Sequence, residues 1–342
     1  MVEGQEDVSW SEWLALARAC EDGGLEGLFR SDHYLSIGGP PGRGSLDAWT
    51  ILAGIAAVTE RIKLGTAVSP ATFRHPSLLA KAVVTVDHIS NGRVELGLGA
   101  GWYEAEHRAY GFPFVDTATR LEVLEEQVEI VVRSWDEGPF GFEGKHYRIE
   151  ELDARPKPLQ RPRPNLIIGG AAKPRSAALA ARWANEYNTV SSTPSELERK
   201  RKSVEAAFGA ADRDVEELTF SLMTGCVIGR DERDLRSRGE HWMSKTGFDG
   251  SYEDWLEYRA NKSITGTIDQ AVDQLKRYES AGVDRIMLQH IVHTDVDMVG
   301  LIGAEIVPRM QPGSRPAVSG PRPVTNSPST ADAVQANGPS SP

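Results

Sequence analysis

The chain is poor in cysteine and has no long hydrophobic run. Cys20 and Cys226, its two cysteines, lie in a helical and a strand-like pattern without CxxC spacing, so we interpret each as a small buried hydrophobe. No apolar stretch reaches the roughly 18 residues that span a bilayer, and the first residues lack the basic and apolar segments of a signal peptide. These absences predict a cytoplasmic protein.

Basic residues are also outnumbered. The chain has 38 Lys and Arg against 49 Asp and Glu, a formal net charge of -11, which disfavours general attraction to nucleic acid or to an anionic membrane. It contains no GxSxG elbow, no HExxH motif and no Walker loop. Triad hydrolases, zincins and nucleoside triphosphatases therefore have no support.

What the sequence does contain is an alternation of strand-like and helix-like segments. Amphipathic helices separate seven strand candidates, at residues 25–30, 64–68, 94–99, 166–168, 187–190, 220–228 and 285–288. Such alternation favours right-handed βαβ units, and this many units favour a closed α/β barrel over an open sheet. A TIM (β/α)8 barrel needs eight strands, so Met1-Val2-Glu3 is the only remnant available for a truncated first strand.

Two segments interrupt the alternation, and a tail follows it. Residues 138–150 have the pattern of a small hairpin, which we expect to act as a lid, and residues 229–265 are long enough to fold over the strand ends before Thr267 caps the last main helix. From 312 to 342 the chain is rich in Pro, Ser, Gly and Ala and lacks aromatics, so we predict a disordered tail after a barrel domain at 1–311.

Polar or glycine-rich clusters follow several of the predicted strands. In parallel α/β folds the carboxyl ends of the strands form one binding face, so these clusters predict a single composite site. Asp32-His33 follows the first candidate strand. Histidine exchanges protons readily near neutral pH, which suits His33 to proton transfer, although a loop histidine bonded to backbone is the simpler interpretation.

Two glycine-rich segments admit two interpretations each. Gly97-Leu98-Gly99-Ala100-Gly101 resembles a phosphate-binding loop, and it is equally typical of a glycine-rich strand end that turns sharply. Gly169-Gly170, before the basic residues Lys173 and Arg175, is either an anion site at a helix start or an ordinary strand-to-helix turn.

A third cluster, His290 and His293 with Asp295, suggests a metal site but lacks the third ligand and the spacing of a known zinc motif. We keep it as a minor hypothesis and predict no metal.

Taken together, these segments resemble the bacterial luciferase-like superfamily, in particular its branch that uses the deazaflavin coenzyme F420. The resemblance covers about residues 1–310 and depends on Glu3-Gly4-Gln5, Trp10 to Trp13, Ser31-Asp32-His33-Tyr34, Gly65 to Pro70, Gly97 to Trp102, Glu106-His107, Ala109-Tyr110-Gly111, Pro156-Lys157-Pro158 and Gly169-Gly170.

The resemblance implies a TIM barrel with the cofactor ring across the carboxyl ends of the strands. His33 would be the proton donor and Asp32 a cofactor contact, and a non-prolyl cis peptide would form a bulge at Ala67-Val68. The ribityl and phosphate portion would lie against Ser69, Ala100, Gly101, Gly169 and Gly170.

Trp102 stands where the sugar-phosphate dehydrogenases of this family have a glutamate base, so we do not expect glucose 6-phosphate to be the substrate. With Trp49, Phe112 and Phe114, Trp102 would instead favour a flat or hydrophobic organic molecule. Relatives commonly form homodimers, but no stripe in the sequence identifies an interface.

We therefore expect an F420-dependent oxidoreductase that transfers a hydride to or from a small organic substrate. The alternatives are an FMN-dependent monooxygenase of the alkanesulfonate type, a metal-dependent barrel hydrolase using His33, His290 and His293, and a non-catalytic ligand carrier.

Overall fold

The computed structural model describes residues 1–37, 42–260 and 262–310. The predicted tail at 312–342 lies outside these ranges. The first half of the chain forms α1 (Trp10–Asp22), β1 (Gly27–Arg30), α2 (Ala48–Ala56), β2 (Lys63–Thr66), β3 (Ser69–Pro70), α3 (Pro76–Ile89), β4 (Val94–Gly99), α4 (Glu104–Tyr110), α5 (Thr117–Trp135), β5 (Phe140–Glu143) and β6 (Arg148–Leu152). The second half forms β7 (Asn165–Gly169), α6 (Pro174–Trp183), β8 (Glu186–Val190), α7 (Pro194–Ala210), β9 (Thr219–Gly229), α8 (Glu232–Thr246), α9 (Tyr252–Arg259), β10 (Ser263–Thr267), α10 (Ile268–Ser280), β11 (Arg285–Gln289), α11 (Val296–Leu301), a π-helical turn (Ile302–Ile306) and α12 (Val307–Met310).

Seven parallel strands make a nearly closed barrel in the order β1, β2, β4, β7, β8, β9 and β11. Strand β9 is 11 residues long, and it pairs with β11 along its first half and with β10 along its second half. Val2 bridges Arg30 and His290, so it lies between β1 and β11 where an eighth strand would stand. The predicted barrel and the role of Met1-Val2-Glu3 as a strand remnant are confirmed.

The helices begin where local chemistry stabilises their free N–H groups. Ser9 and Thr267 form capping boxes at the starts of α1 and α10, and Thr267 is the cap that the sequence predicts for the last main helix. The helices then pack their apolar faces on the outside of the barrel. Every helix in the described ranges is too short or too polar to cross a bilayer.

The interior of the barrel is closed below the binding face. At the amino ends of the strands, the Arg285 guanidinium donates to Glu95 at 2.7 Å and to Glu186 at 2.8 Å. Above this charged floor lies a buried apolar layer of Phe29, Ala67, Ile167 and Met287. A ligand can therefore enter only from the carboxyl ends of the strands.

The two inserted segments differ in their relation to that end. The hairpin β5–β6 packs on the outside of α5, because the Glu126 carboxylate accepts the backbone N–H groups of Lys145, His146 and Tyr147. None of the hairpin's residues lines the binding cavity, so the lid prediction is wrong. Residues 229–265 form α8, α9 and β10, and their apolar cluster packs against Ile291 and Val292, just beyond the carboxyl end of β11.

Candidate active site

A cavity of about 540 Å³ opens at the carboxyl ends of the barrel strands. Its size lies within the range of pockets that hold small molecules and cofactors. Its wall is formed by the ends of β1, β2, β4, β7 and β8 with the segments that follow them, and by Met223 of β9 and Gln289 of β11. Eight of the predicted site residues line it: His33, Ala67, Val68, Ala100, Gly101, Trp102, Gly169 and Gly170. The predicted composite site therefore exists as a single cavity.

His33 is held at the wall of this cavity by a buried carboxylate. Its Nδ1 lies 2.8 Å from Oε2 of Glu106, a side chain with no solvent exposure. Because a carboxylate only accepts hydrogen bonds, this contact assigns the proton to Nδ1 of His33. The imidazole is thus fixed in one tautomer, with Nε2 left for the cavity.

Glu106 also fixes the backbone that carries His33. Its Oε1 accepts the N–H of Leu35 at 3.0 Å and the N–H of Tyr34. Glu106 comes from α4, so it approaches His33 across 73 positions of sequence. The sequence marks Glu106 only as part of the family resemblance, and no local pattern predicts its contact with His33.

The helix that carries Glu106 is itself tied to the cavity wall. His107 Nδ1 lies 2.7 Å from the Tyr103 carbonyl oxygen, and its Nε2 lies 2.7 Å from Oγ1 of Thr72. Gly101, between these groups, has a φ of +77°, which L side chains rarely adopt. A glycine is therefore required at the turn from β4 into α4.

Asp32 lies beside His33 in sequence but faces away from the cavity. Its carboxylate accepts a bidentate pair of hydrogen bonds from Arg74, at 2.5 and 3.1 Å, and a third from the Ser69 hydroxyl. Neither Asp32 nor Ser69 lines the cavity, so their expected direct contact with a cofactor is corrected. In this structure they anchor the loop after β1 to the loop after β2.

Arg74 is the centre of this buried polar group. It donates to Tyr34 and Asp47 as well as to Asp32, and although burial opposes its charge, the Asp32 carboxylate raises its pKa. Burial raises the pKa of Tyr34, so its phenol stays protonated. Burial alone would raise the pKa of Asp47, but hydrogen bonds from Thr50 and the charge of Arg74 lower it to about 2. The loop that carries His33 is thereby held by fixed charges.

The glycines of the predicted phosphate loop have another role. The peptide bond Ala67–Val68 is cis, as the resemblance implied, and it projects the Val68 side chain across the neighbouring strands. A Cβ at Gly97 would lie 2.9 Å from a Val68 methyl, and one at Gly99 would lie 2.8 Å from the other. Gly97 and Gly99 are strand residues that make room for Val68, which corrects the phosphate-loop interpretation.

The second predicted anion site is occupied by protein groups. The N–H of Gly170 donates to the Asn188 carbonyl oxygen at 3.0 Å, and the N–H of Ala172 donates to the Tyr187 hydroxyl at 2.7 Å. Arg175 forms a bidentate pair with Glu125, at 2.6 and 2.8 Å. Gly169 and Gly170 contribute a flat wall to the cavity instead of a set of free donors.

Of the four predicted substrate-pocket aromatics, only Trp102 lines the cavity. It is 60% exposed and meets the His33 ring edge-on, with 5.8 Å between the ring centroids. Trp49 is buried and directs its indole N–H to Ser69, and Phe112 stacks on Phe73. Phe114 packs against His107 and under Arg120. The placement of Trp49, Phe112 and Phe114 in the pocket is therefore corrected.

The histidines of the minor metal hypothesis do not converge. His290 is buried, neither ring nitrogen has a hydrogen-bond partner in the described ranges, and burial lowers its pKa to about 4. His293 lies 3.5 Å from Glu12, and Asp295 pairs with Arg238. No group of three or more potential metal ligands occurs among the residues that the structure describes.

Glu3, Asn188 and Gln289 are among the polar residues of the cavity wall that were not predicted as site residues. Glu3 belongs to the strand remnant, and the other two lie on barrel strands. A polar residue facing into a barrel near the carboxyl end of a strand is the signal that could have identified Asn188 and Gln289.

The family model of the luciferase-like monooxygenases matches residues 2–289. The chain belongs to this family. Its membership confirms the predicted luciferase-like barrel and the prediction of an oxidoreductase.

Individual relatives use two different cofactors. The chain is 26% identical over 268 residues to an FMNH(2)-dependent dimethylsulfone monooxygenase of Pseudomonas putida, covering 70% of this chain and 72% of the relative. It is 28% identical over 243 residues to the pyrimidine monooxygenase RutA of Yersinia enterocolitica, covering 69% of this chain and 64% of the relative. Both of these matches leave more than a quarter of the relative uncovered.

Among solved structures, the coenzyme F420 dependent tetrahydromethanopterin reductase of Methanopyrus kandleri superposes with a TM-score of 0.76 at 22% identity, over 91% of this chain and 98% of that one. The monooxygenase RslO1 of Streptomyces bottropensis gives 0.74 at 24% identity, over 90% and 96%. At these identities the likeness establishes the fold alone.

Proposed function

We propose that this luciferase-like protein is an F420-dependent oxidoreductase that transfers a hydride between the deazaflavin and a small organic substrate. The observation that carries the proposal is His33, held in one tautomer by buried Glu106 at the wall of the cavity. A proton must be gained or lost when a hydride moves to or from an uncharged organic molecule. A histidine oriented in this way can supply or remove it.

The residues of the cavity fit a flat ring. Gly99 and Gly169 leave one wall without side chains, and Val68 projects from the cis peptide between them. When bound, the deazaflavin supplies the hydride chemistry. Val68 would support the ring from behind, and His33 would hold or move a proton at Nε2. Trp102, at the mouth, would cover the substrate with an apolar surface.

The second candidate is an FMN-dependent monooxygenase on the same barrel. The two relatives compared by sequence favour it, since one is FMNH(2)-dependent and both are monooxygenases. Glycine walls and a bulge suit the isoalloxazine of FMN as well as that of the deazaflavin. The two candidates therefore differ in cofactor and in the use of oxygen, and both retain His33 at the reacting face.

Cofactor titration tests the proposal directly. We expect the deazaflavin to bind saturably and to quench the protein's tryptophan fluorescence, with Trp102 the nearest reporter. Tight binding of FMN without binding of the deazaflavin would overturn the first choice in favour of the second. Binding of either cofactor without turnover on any organic substrate would instead favour a carrier.

His33→Asn separates binding from proton transfer. Asparagine can keep a hydrogen bond to Glu106 but cannot exchange a proton, so we expect cofactor affinity to persist and turnover to fall about 10²–10⁴-fold. Unchanged turnover in this variant would remove His33 from the reaction.

A further inference from the structure

One side of the active-site cavity carries a carboxylate. Glu3, in the strand remnant, is 8% exposed and lines the cavity. Nε2 of Gln5 donates to its Oε2 at 2.7 Å, and Nε2 of Gln289 donates to its Oε1 at 2.5 Å. The Ser31 hydroxyl donates to Oε1 of Gln5, which leaves the amide nitrogen of Gln5 as the donor to Glu3. The carboxylate is therefore held rigidly by two neutral amides.

No basic side chain neutralises Glu3 in the described part of the chain. Its side-chain partners there are the amides of Gln5 and Gln289, and neither lysine nor arginine is found among the described residues that line the cavity. The Met1 amino group donates to the Leu288 carbonyl oxygen at 2.9 Å, and burial lowers its pKa although the charge of Glu3 opposes this effect. A carboxylate has about four acceptor positions, so Glu3 retains acceptor capacity after binding two amides.

The barrel order places Glu3 across the cavity from the glycine wall. Val2 stands between β1 and β11, whereas Gly99 and Gly169 end β4 and β7, halfway around the barrel. A ring against Gly99, Gly169 and Val68 leaves the space beside Glu3 and Gln289 for the second reactant. This step rests on the proposed function, because it assumes that the cofactor ring occupies the glycine wall.

We propose that Glu3 determines the substrate class of this enzyme. The substrate presents a nitrogen group that donates hydrogen bonds, cationic or amide-like, to the Glu3 carboxylate, and organic anions such as sulfonates and carboxylates are rejected. An anion would have to lose its water beside a negative charge with no basic side chain to receive it. A substrate N–H group, in contrast, finds the Glu3 carboxylate already oriented to accept it. Hydrogen bonds to charged groups are stronger than those between neutral groups.

Three flat probes of the same shape but different charge test this proposal: benzamidinium, benzamide and benzoate. Binding is followed by NMR of ¹³C-methyl methionine, because Met1 and Met223 line the cavity whereas Met298 is a buried residue of α11 that does not. We expect benzamidinium to shift the first two methyl signals saturably and to bind at least about tenfold more tightly than benzoate, with benzamide between them.

Variants test whether Glu3 causes the preference for benzamidinium over benzoate. Glu3→Gln should abolish the preference for benzamidinium over benzoate, and Glu3→Asp should retain it, since the charge stays. Glu6→Gln is the matched control, because Glu6 is also buried in the same segment but pairs with Arg43 outside the cavity. It should leave the ratio unchanged.

The proposal would be overturned if benzoate bound as tightly as benzamidinium, or if none of the probes shifted the Met1 and Met223 signals. A ratio that survives Glu3→Gln would overturn it as well. Failure of the proposed function gives a different result, since the protein would then bind benzamidinium selectively and yet not bind the deazaflavin.

Discussion

The contact between His33 and Glu106 leads to a sharp prediction for Glu106→Gln. Glutamine has the size of glutamate but offers one acceptor and one donor, whereas Glu106 accepts at both oxygens. The backbone N–H groups of Tyr34 and Leu35 require an acceptor at one end of this side chain. The amide NH₂ would therefore face Nδ1 of His33 and donate to it. The ring must then carry its proton on Nε2, which is the opposite tautomer.

The size of the effect follows from the groups involved. The hydrogen bond between residue 106 and His33 changes from a charge-assisted one to a neutral one, which should lower the free energy of unfolding by about 1–2 kcal/mol. The effect on the reaction should be larger. With its proton on Nε2 and a donor at Nδ1, the neutral ring cannot accept a proton from the cavity, and it cannot release one without becoming an anion. We expect hydride transfer to slow by about 10²–10⁴-fold.

Two measurements check this prediction. The ¹⁵N chemical shifts of the His33 imidazole report the tautomer, and single-turnover absorbance of the cofactor reports the hydride step. Glu104→Gln is the matched control, because Glu104 lies on the same helix but is exposed and pairs with Arg108. A Glu106→Gln protein with the altered tautomer and the wild-type rate would refute the role of this pair.

Three further predictions concern packing, pH and the cavity mouth. Gly97→Ala should destabilise the protein by about 1–3 kcal/mol or more in urea unfolding, because its Cβ would lie 2.1 Å from the Thr66 carbonyl oxygen. Gly209→Ala should not, because no atom lies within 4 Å of where its Cβ would be. Burial lowers the pKa of His290 to about 4, from 6.5 in an unfolded chain. The free energy of unfolding should therefore fall as pH drops from 6.5 to 4, and His290→Asn should make it depend less on pH. Trp102→Ala should weaken substrate binding about fivefold in titration of the cofactor-loaded protein, for about 1 kcal/mol of aromatic contact; unchanged affinity would count against an apolar wall.

The sequence predicted the elements of the barrel well because their signals are local. The capping boxes at Ser9 and Thr267 depend on residues three positions apart, and the strands show as short apolar runs between turn residues. The position of the site followed as well, since the carboxyl ends of parallel strands must meet. The family resemblance added the cis peptide at Ala67–Val68 and the expected role of His33 as proton donor to a bound cofactor.

The sequence predicted side-chain directions poorly. Asp32 and His33 are neighbours in the chain, yet one faces Arg74 and the other the cavity. Phe112 and Phe114 are aromatic, as residues in pocket walls often are, but they pack against Phe73 and His107 and do not line the cavity. The choice among these partners depends on loops that only the folded barrel brings together.

By itself, then, the sequence determined a parallel α/β barrel with a polar carboxyl-terminal face, because hydrophobic periodicity and turn chemistry act over a few residues. The tertiary structure alone decided that Glu106 orients His33, that Val68 fills the space left by Gly97 and Gly99, and that Glu3 lines the cavity. Each of these contacts joins segments distant in sequence, and each depends on the shape of the space between strands, which no short stretch of residues encodes.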